Sequence, residues 1–373
     1  MLMIPVNIKR LALFILLALI SVFSFANSPD DEEQLKAGEK LKVVGWLQPL
    51  FRVNYSSTRD GMSHLNESSF AFNRARLGVT GNLNSSFSYF VMAELSSFKS
   101  GPTLVKAVIN WDGLGHWARI TTGKFKHPFS VELNASSNKL LTINRSKVVD
   151  YLTGPSIDYG LMISGSSENL PILGIKNKDI IKYSLALING SGKDVYDPDT
   201  YKDVVFKLNF SPFSFISLGG SFKNGKRKDP MILDKPAGSS LRYGADLTIN
   251  YKNLIIQSEY IGAKEKTYNL IGNQEEIHSF NPFTYKADGY FIQALYMMPC
   301  HLQAVAKFET FSGELIQNSD QEQAITLGFN YFFNEQTKVQ LNYIHHIIDK
   351  EISALTNDYE LTDAVYLQFQ LIF

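Results

Sequence analysis

The sequence is poor in several things that would point elsewhere. It has one cysteine, Cys300, in 373 residues. No intrachain disulfide can form, so stability has to come from another source. It has no charge excess, with 36 basic and 36 acidic residues, and nothing in that balance suggests nucleic acid as a partner. After residue 26 it has no long apolar run. This excludes spanning by helices, because a helix needs about 20 apolar residues to cross hydrocarbon. The Cys/His spacing of a zinc site is missing, and no metal or cofactor is expected. The histidines (His64, His116, His127, His278, His301, His345 and His346) are scattered. A nucleophile–His–acid constellation is assembled in space, but no triad is visible, and the chain is not expected to be an enzyme. His345 and His346 should point to opposite faces of one strand, one of them toward lipid or its interface.

What is present begins at the first residues. Lys9 and Arg10 precede an apolar stretch, 11–23, interrupted only by Ser21. Ser24 and Ala26 then supply the small residues that a signal peptidase site requires. Residues 1–26 are read as a cleaved signal peptide, and Cys300 lies too far from that site for a lipid-anchored lipoprotein. Removing Lys9 and Arg10 leaves 34 basic against 36 acidic residues, a formal charge of −2. Residues 27–40 open with Asp30, Asp31, Glu32 and Glu33 and read as a flexible periplasmic leader.

From Leu41 onward polar and apolar residues alternate. Leu41, Val43, Leu47, Phe51, Val53 and Tyr55 share one face. So do Ala75, Leu77 and Val79, then Phe87, Tyr89, Val91, Ala93 and Leu95, then Val105, Ala107, Ile109 and Trp111. The opposite faces carry Arg74, Arg76, Lys124, Lys126, Gln257, Glu259, Lys307 and Glu309. Such faces make poor dry cores but suit a water-filled interior. The last strand alternates Val365, Leu367, Phe369 and Leu371 and stops at Phe373, a terminal aromatic like the signal read by the barrel-assembly machinery of Gram-negative bacteria. The expected fold is all-β: a transmembrane antiparallel β-barrel of about 16 strands over 41–373. Short connections (81–85, 112–115, 211–212, 251–253, 298–300, 334–336) alternate with long ones (56–68, 190–200, 224–240, 264–284, 312–321, 349–360), the asymmetry of periplasmic turns and extracellular loops. Two connections depart from this, a short outer loop at 96–102 and a longer turn at 168–178. Such a barrel is expected in the outer membrane, in contact with its lipids and lipopolysaccharide, and Lys226-Arg227-Lys228 is placed in an external loop.

The run Phe72-Asn73-Arg74-Ala75-Arg76-Leu77-Gly78 resembles an early strand of the phosphate-selective porin O and P family. Gly123-Lys124-Phe125-Lys126-His127-Pro128-Phe129-Ser130 and Ile143-Asn144-Arg145-Ser146 resemble two further signatures of that family, in the same order. The resemblance is specific over about 72–165 and extends to the end in strand and loop layout. It implies a sixteen-strand trimeric porin whose connection after the fifth strand folds inward and narrows the pore. The matching segment is 128–157. The residues agree: a long loop bearing Leu133, Leu140, Leu141, Val148, Val149, Tyr151 and Leu152 is too apolar to trail in water.

Arg74 and Arg76 lie two apart on one strand and so share a face. Lys124 and Lys126 repeat the pattern, and Arg145 and Lys147 join from 128–157, with Lys139 nearby. Rings of basic residues attract anions, and a guanidinium fork suits phosphate. These six residues (Arg74, Arg76, Lys124, Lys126, Arg145 and Lys147) are the candidate pore-lining, anion-attracting set. Arg52 and Arg242 extend it, while most later inward positions carry Gln, Asn, Thr or acids. Against this stands a purely structural role, in which Glu94, Glu132 and Asp150 pair with the arginines and hold the segment. The expected function is passive diffusion of small hydrophilic solutes or ions, with an anion or phosphate preference. The alternative is a surface barrel for adhesion or lipopolysaccharide binding that conducts little.

Overall fold

The computed structural model describes residues 41–57, 63–96, 101–172, 174–175, 177–192, 196–228, 236–271, 279–313, 322–347 and 360–373. The expected signal peptide and leader lie outside the described residues, as do the tips of several long loops. Sixteen strands account for most of the remainder. They are β1 (Leu41–Ser57), β2 (Ser63–Asn82), β3 (Phe87–Glu94), β4 (Thr103–Trp111), β5 (Arg119–Lys126), β6 (Ile157–Ser166), β7 (Ile181–Ile188) and β8 (Asp203–Phe213). They continue with β9 (Ile216–Arg227), β10 (Gly238–Tyr251), β11 (Leu254–Ile271), β12 (Ser279–Met297), β13 (Leu302–Gly313), β14 (Glu322–Phe332), β15 (Thr337–Ile347) and β16 (Glu360–Ile372).

Each strand pairs antiparallel with its neighbours in sequence, and β1 pairs with β16, so the sheet closes. Closure leaves no edge, the condition for a sheet to sit in hydrocarbon. The seam is completed by Gly45 and Phe373, which exchange backbone hydrogen bonds of 2.9 and 3.0 Å. The period-two pattern puts apolar side chains outside: on β14, Ile325, Leu327, Phe329 and Tyr331 are exposed while Thr326 and Asn330 are buried. At the end with the short turns, aromatic rings gather into a belt, Phe213 on Phe215 at 5.6 Å and Tyr331 on Phe333 at 4.9 Å. Amphipathic rings of this kind mark a membrane boundary.

Strands run into several connections expected to be longer: β2 begins at Ser63 within 56–68, β9 reaches Arg227 within 224–240, and β11 reaches Ile271 and β12 begins at Ser279 within 264–284. Two further details differ from the sequence expectation. In β4 the outward row was expected to begin at Val105. A bulge pairs Met92 with Lys106 and Ala93 with Leu104, so Val105 is the extra residue and turns inward, and Leu104 is exposed instead. One inserted residue exchanges the faces, which a strict alternation cannot anticipate. The turn expected at 211–212 lies at 214–215, between β8 and β9. Pro212 has no N–H to give the ladder, and the register accordingly slips between Phe210 and Phe213 without ending the strand.

The barrel interior also carries apolar groups. Val44, Trp46, Phe90, Met92 and Val108 on one wall, and Ile261, Phe291 and Phe311 on the other, belong to one buried cluster. What covers them is residues 128–157, which contribute Phe129, Leu133, Val148, Val149 and Leu152 to the same cluster. Burying side chains from both walls requires this segment to cross the inside of the barrel.

Candidate functional site

The crossing segment follows β5 and contains two short helices, α1 (Val131–Asn134) and α2 (Lys147–Leu152). Their apolar positions fix how they sit. Val148, Val149 and Leu152 are fully buried against the wall, and Asp150 and Tyr151 are left on the other side, facing the water of the interior.

The segment enters at Ser130, which adopts φ 72°, a left-handed conformation strained for a residue with a side chain. The local bonds offset that strain. Ser130 Oγ caps α1 by accepting from Leu133 N at 3.0 Å and donates to Glu259 Oε2 at 2.8 Å. Glu259, on β11, also accepts the N–H groups of Val131 at 3.2 Å and Glu132 at 3.4 Å. Within the segment, Glu132 accepts from Ser146 N at 2.8 Å and from the Ser146 hydroxyl, tying the start of α1 to the start of α2.

A belt of amides on the wall holds the middle. Gln48 donates to Ser137 O at 3.2 Å, Gln370 to Asn138 O at 3.0 Å and Asn330 to Leu141 O at 3.0 Å, while Asn342 Oδ1 accepts Ile143 N at 2.9 Å. The same amides bond to each other across strands: Asn73 to Gln368 at 2.7 Å, Gln368 to Gln340 at 3.0 Å, Gln340 to Asn330 at 3.1 Å. An amide both donates and accepts, so a row of them satisfies its own members and still presents donors to the segment's carbonyls. At the far end, Glu309 accepts Lys147 N at 3.1 Å and Arg242 donates to Leu152 O at 2.7 Å. Sequence reading placed Gln, Asn and Glu259 on the inner face without giving them this role. The available signal was their parity, opposite to the exposed apolar row of each strand.

The six candidate basic residues part company. Arg74 reaches Gln48 at 3.0 Å and Ile143 O at 3.4 Å, with no carboxylate in hydrogen-bond contact among the described residues. Arg76 pairs with Glu94 at 2.8 Å, donates to Ser137 Oγ at 3.1 Å and lies over the Trp46 ring. Arg145 donates to the carbonyls of Glu132 at 3.0 Å and Ala135 at 2.8 Å. Lys126 donates to those of Leu133 at 3.1 Å and Ala135 at 3.0 Å. The two cations thus clasp the carbonyl end of α1, where such charges are favoured. Lys147 forms an ion pair with Glu322 at 2.6 Å. Burial lowers the Arg145 pKa from its usual value, and the charges of Glu132 and Asp150 oppose that shift.

Lys124 stands apart. Its register partners are Ala107 and Tyr159, members of the outward row, and Gly123 before it has φ 123°. It is 1% exposed, with its ammonium 5.2 Å from the centre of the Tyr159 ring. The structure encloses this candidate residue beside Tyr159, whereas Lys126 reaches the carbonyls of the crossing segment.

Of the acids expected to pair, Glu94 does so with Arg76, Glu132 binds Ser146, and Asp150 forms no hydrogen bond or ion pair through its carboxylate among the described residues. Arg52 pairs with Glu67 at 2.6 Å and Arg242 with Glu265. His345 and His346 do face opposite ways: His345 sits on the outer row, 2.9 Å from Asp363, and His346 is turned inward. No cluster of His, Cys, Asp and Glu fit to hold a metal occurs among the described residues.

A closed barrel of this size with a segment folded through its interior has a counterpart among known families. The family model for phosphate-selective porin O and P matches residues 52–215 and 226–373. The chain belongs to that family. Its fold is shared with solved porins at low identity. An anion-selective porin from Comamonas acidovorans has 11% identity and a TM-score of 0.62, covering 89% of this chain and 99% of its own. The outer membrane channel DcaP of Acinetobacter baumannii has 10% identity and a TM-score of 0.59, covering 91% and 99%. OmpT of Vibrio cholerae, in a trimer form, has 11% identity and a TM-score of 0.56, covering 89% and 99%. A search of curated proteins found no match. This porin is a passive channel of the Gram-negative outer membrane, which places the short turns in the periplasm and the long loops outside.

Proposed function

We propose that residues 128–157 constrict the pore and that the channel passes small hydrophilic solutes with a mild preference for anions. The observation that carries this reading is the gathering of three guanidiniums, Arg74, Arg76 and Arg145, where the segment crosses beside β2. They are close enough to act on one another electrostatically, and among the described residues no acid is bonded to Arg74. The preference is mild because the other cations are occupied: Arg76, Lys147, Arg52 and Arg242 bond to carboxylates, and Lys126 and Arg145 to carbonyls. A continuous ladder of open arginines, which strict phosphate selection would call for, is not formed by these residues. The reading includes a homotrimer, export by the signal peptide, insertion guided by Phe373, contact with lipopolysaccharide outside, and no catalytic activity.

The test is reversal potential in planar bilayers under a salt gradient. Wild type should show discrete conductance steps and a chloride-favouring potential, and Arg74→Gln should bring the potential toward zero while steps persist. A cation-favouring wild type would remove the anion preference. An electrically silent, correctly folded barrel would replace the channel reading with the surface-binding one.

A further inference from the structure

The charges that hold the segment are not the charge the segment shows to the passage. On α2 the three apolar residues are spent on the wall, and Lys147 is spent on Glu322 and Glu309. What remains toward the water is Asp150, exposed, beside Tyr151, whose ring stacks on Phe311 at 5.6 Å. No hydrogen bond or ion pair engages the Asp150 carboxylate among the described residues, yet it lies within electrostatic range of Arg145, Glu132, Lys307 and Arg74. The carboxylate therefore acts on the guanidiniums of Arg145 and Arg74 through space rather than being neutralised by contact.

We propose that Asp150 is a specificity-determining residue of the passage. Its carboxylate weakens the anion preference created by Arg74 and Arg145 and gives solutes with a cationic group, including those carrying both signs, a place to bind. This rests on the channel reading above. The geometry favours it over a holding role: a carboxylate that held the segment would contact a backbone N–H or a cation, as Glu132, Glu259 and Glu309 do.

The groups facing Asp150 also set its response to acid. The side chain reaches the passage, but the walls close around it strip part of its hydration and, with the negative charge of Glu132, raise its pKa above the usual aspartate value, while the charges of Arg145, Lys307 and Arg74 act the other way. Glu309 stands 3.6 Å from Lys307 and offsets that ammonium. As pH falls through the raised pKa, Asp150 becomes neutral while the arginines stay charged, so the channel should favour anions more strongly.

The experiment compares wild type, Asp150→Asn and Asp150→Glu in bilayers with potassium chloride gradients at neutral and mildly acid pH. Asp150→Asn should raise the chloride-to-potassium permeability ratio about two- to five-fold, the change one unit charge makes for ions passing within several ångströms in water. Asp150→Glu should keep the wild-type ratio. Acid should raise the wild-type ratio and leave that of Asp150→Asn flat. Conducting channels in which Asp150→Asn keeps the wild-type ratio, or keeps the acid response, overturn the assignment and leave the channel reading standing. Absence of conductance in folded wild type overturns both. A loss of the ratio change together with noisy, unstable conductance in Asp150→Asn but not in Asp150→Glu assigns Asp150 to holding the segment and also overturns the proposal.

Discussion

Leu152→Ala tests whether residues 128–157 dock as a unit separable from the barrel. Leu152 is fully buried among Val148, Val149 and the inner faces of β11–β13, and its backbone carbonyl accepts from Arg242 at 2.7 Å. Truncation leaves the Arg242 bond in place and removes only packing. The cost of such a deletion is about 2–5 kcal/mol, a transfer part plus a cavity part. The loss should fall on the segment, because the ladders joining β11, β12 and β13 run without it. At the middle of that range the undocked population rises about three hundred-fold, since each ~1.4 kcal/mol is a factor of ten. Single-channel recording reads this directly, as frequent excursions to a larger, noisier conductance. The heat needed to unfold the barrel, read on semi-native gels, should hardly change, because local opening and global unfolding are distinct events. Leu327→Ala serves as control, since Leu327 is 51% exposed on the outer face. If Leu152→Ala lowered barrel stability and left the current as quiet as wild type, the separation of segment from wall would be refuted.

Two further outcomes concern the barrel itself. Gly45 sits where an added Cβ would lie 2.6 Å from Arg76 O and 2.7 Å from the Phe373 ring. Gly45→Val should therefore strain the β1–β16 seam and lower the temperature of unfolding on semi-native gels, and an unchanged temperature would show that the seam yields easily. Cys300, exposed in the turn joining β12 to β13, is placed in the periplasm. A membrane-impermeant maleimide should leave it unlabelled on intact cells and label it once the outer membrane is permeabilised, and labelling of intact cells would reverse the orientation.

The barrel was legible because its signal is one-dimensional. Alternation of period two needs no knowledge of distant residues: Ile325, Leu327, Phe329 and Tyr331 declare an outer face wherever their neighbours lie. Sixteen such stretches, joined by connections of alternating length, leave little choice of topology. Errors arose where a single residue changes local parity. Val105 is extra in its strand, and Pro212 cannot donate. Neither changes the composition of its strand, so a periodic reading passes over both.

The site was legible only as an inventory. The sequence showed which strands carry basic residues and that 128–157 is too apolar for water, but which charge is spent depends on contacts between residues far apart in the chain. Lys147 and Glu322 are separated by 175 positions, Glu259 and Ser130 by 129. The result reverses part of the expectation. An anion-attracting set was read from Arg74, Arg76, Lys124, Lys126, Arg145 and Lys147, yet most of these cations bind carboxylates, carbonyls or a ring. Burying a backbone-rich segment inside a barrel explains why. Its carbonyls need donors, and long cationic side chains on the wall and on the segment itself supply them with charge-assisted bonds worth about 1.5–3 kcal/mol each. A charge used in that way still contributes to the potential of the passage, but it is no longer open to bind a passing solute directly. Under the proposed reading, selectivity then depends on the groups that meet no opposite charge in contact among the described residues, Arg74 on the wall and Asp150 on the segment.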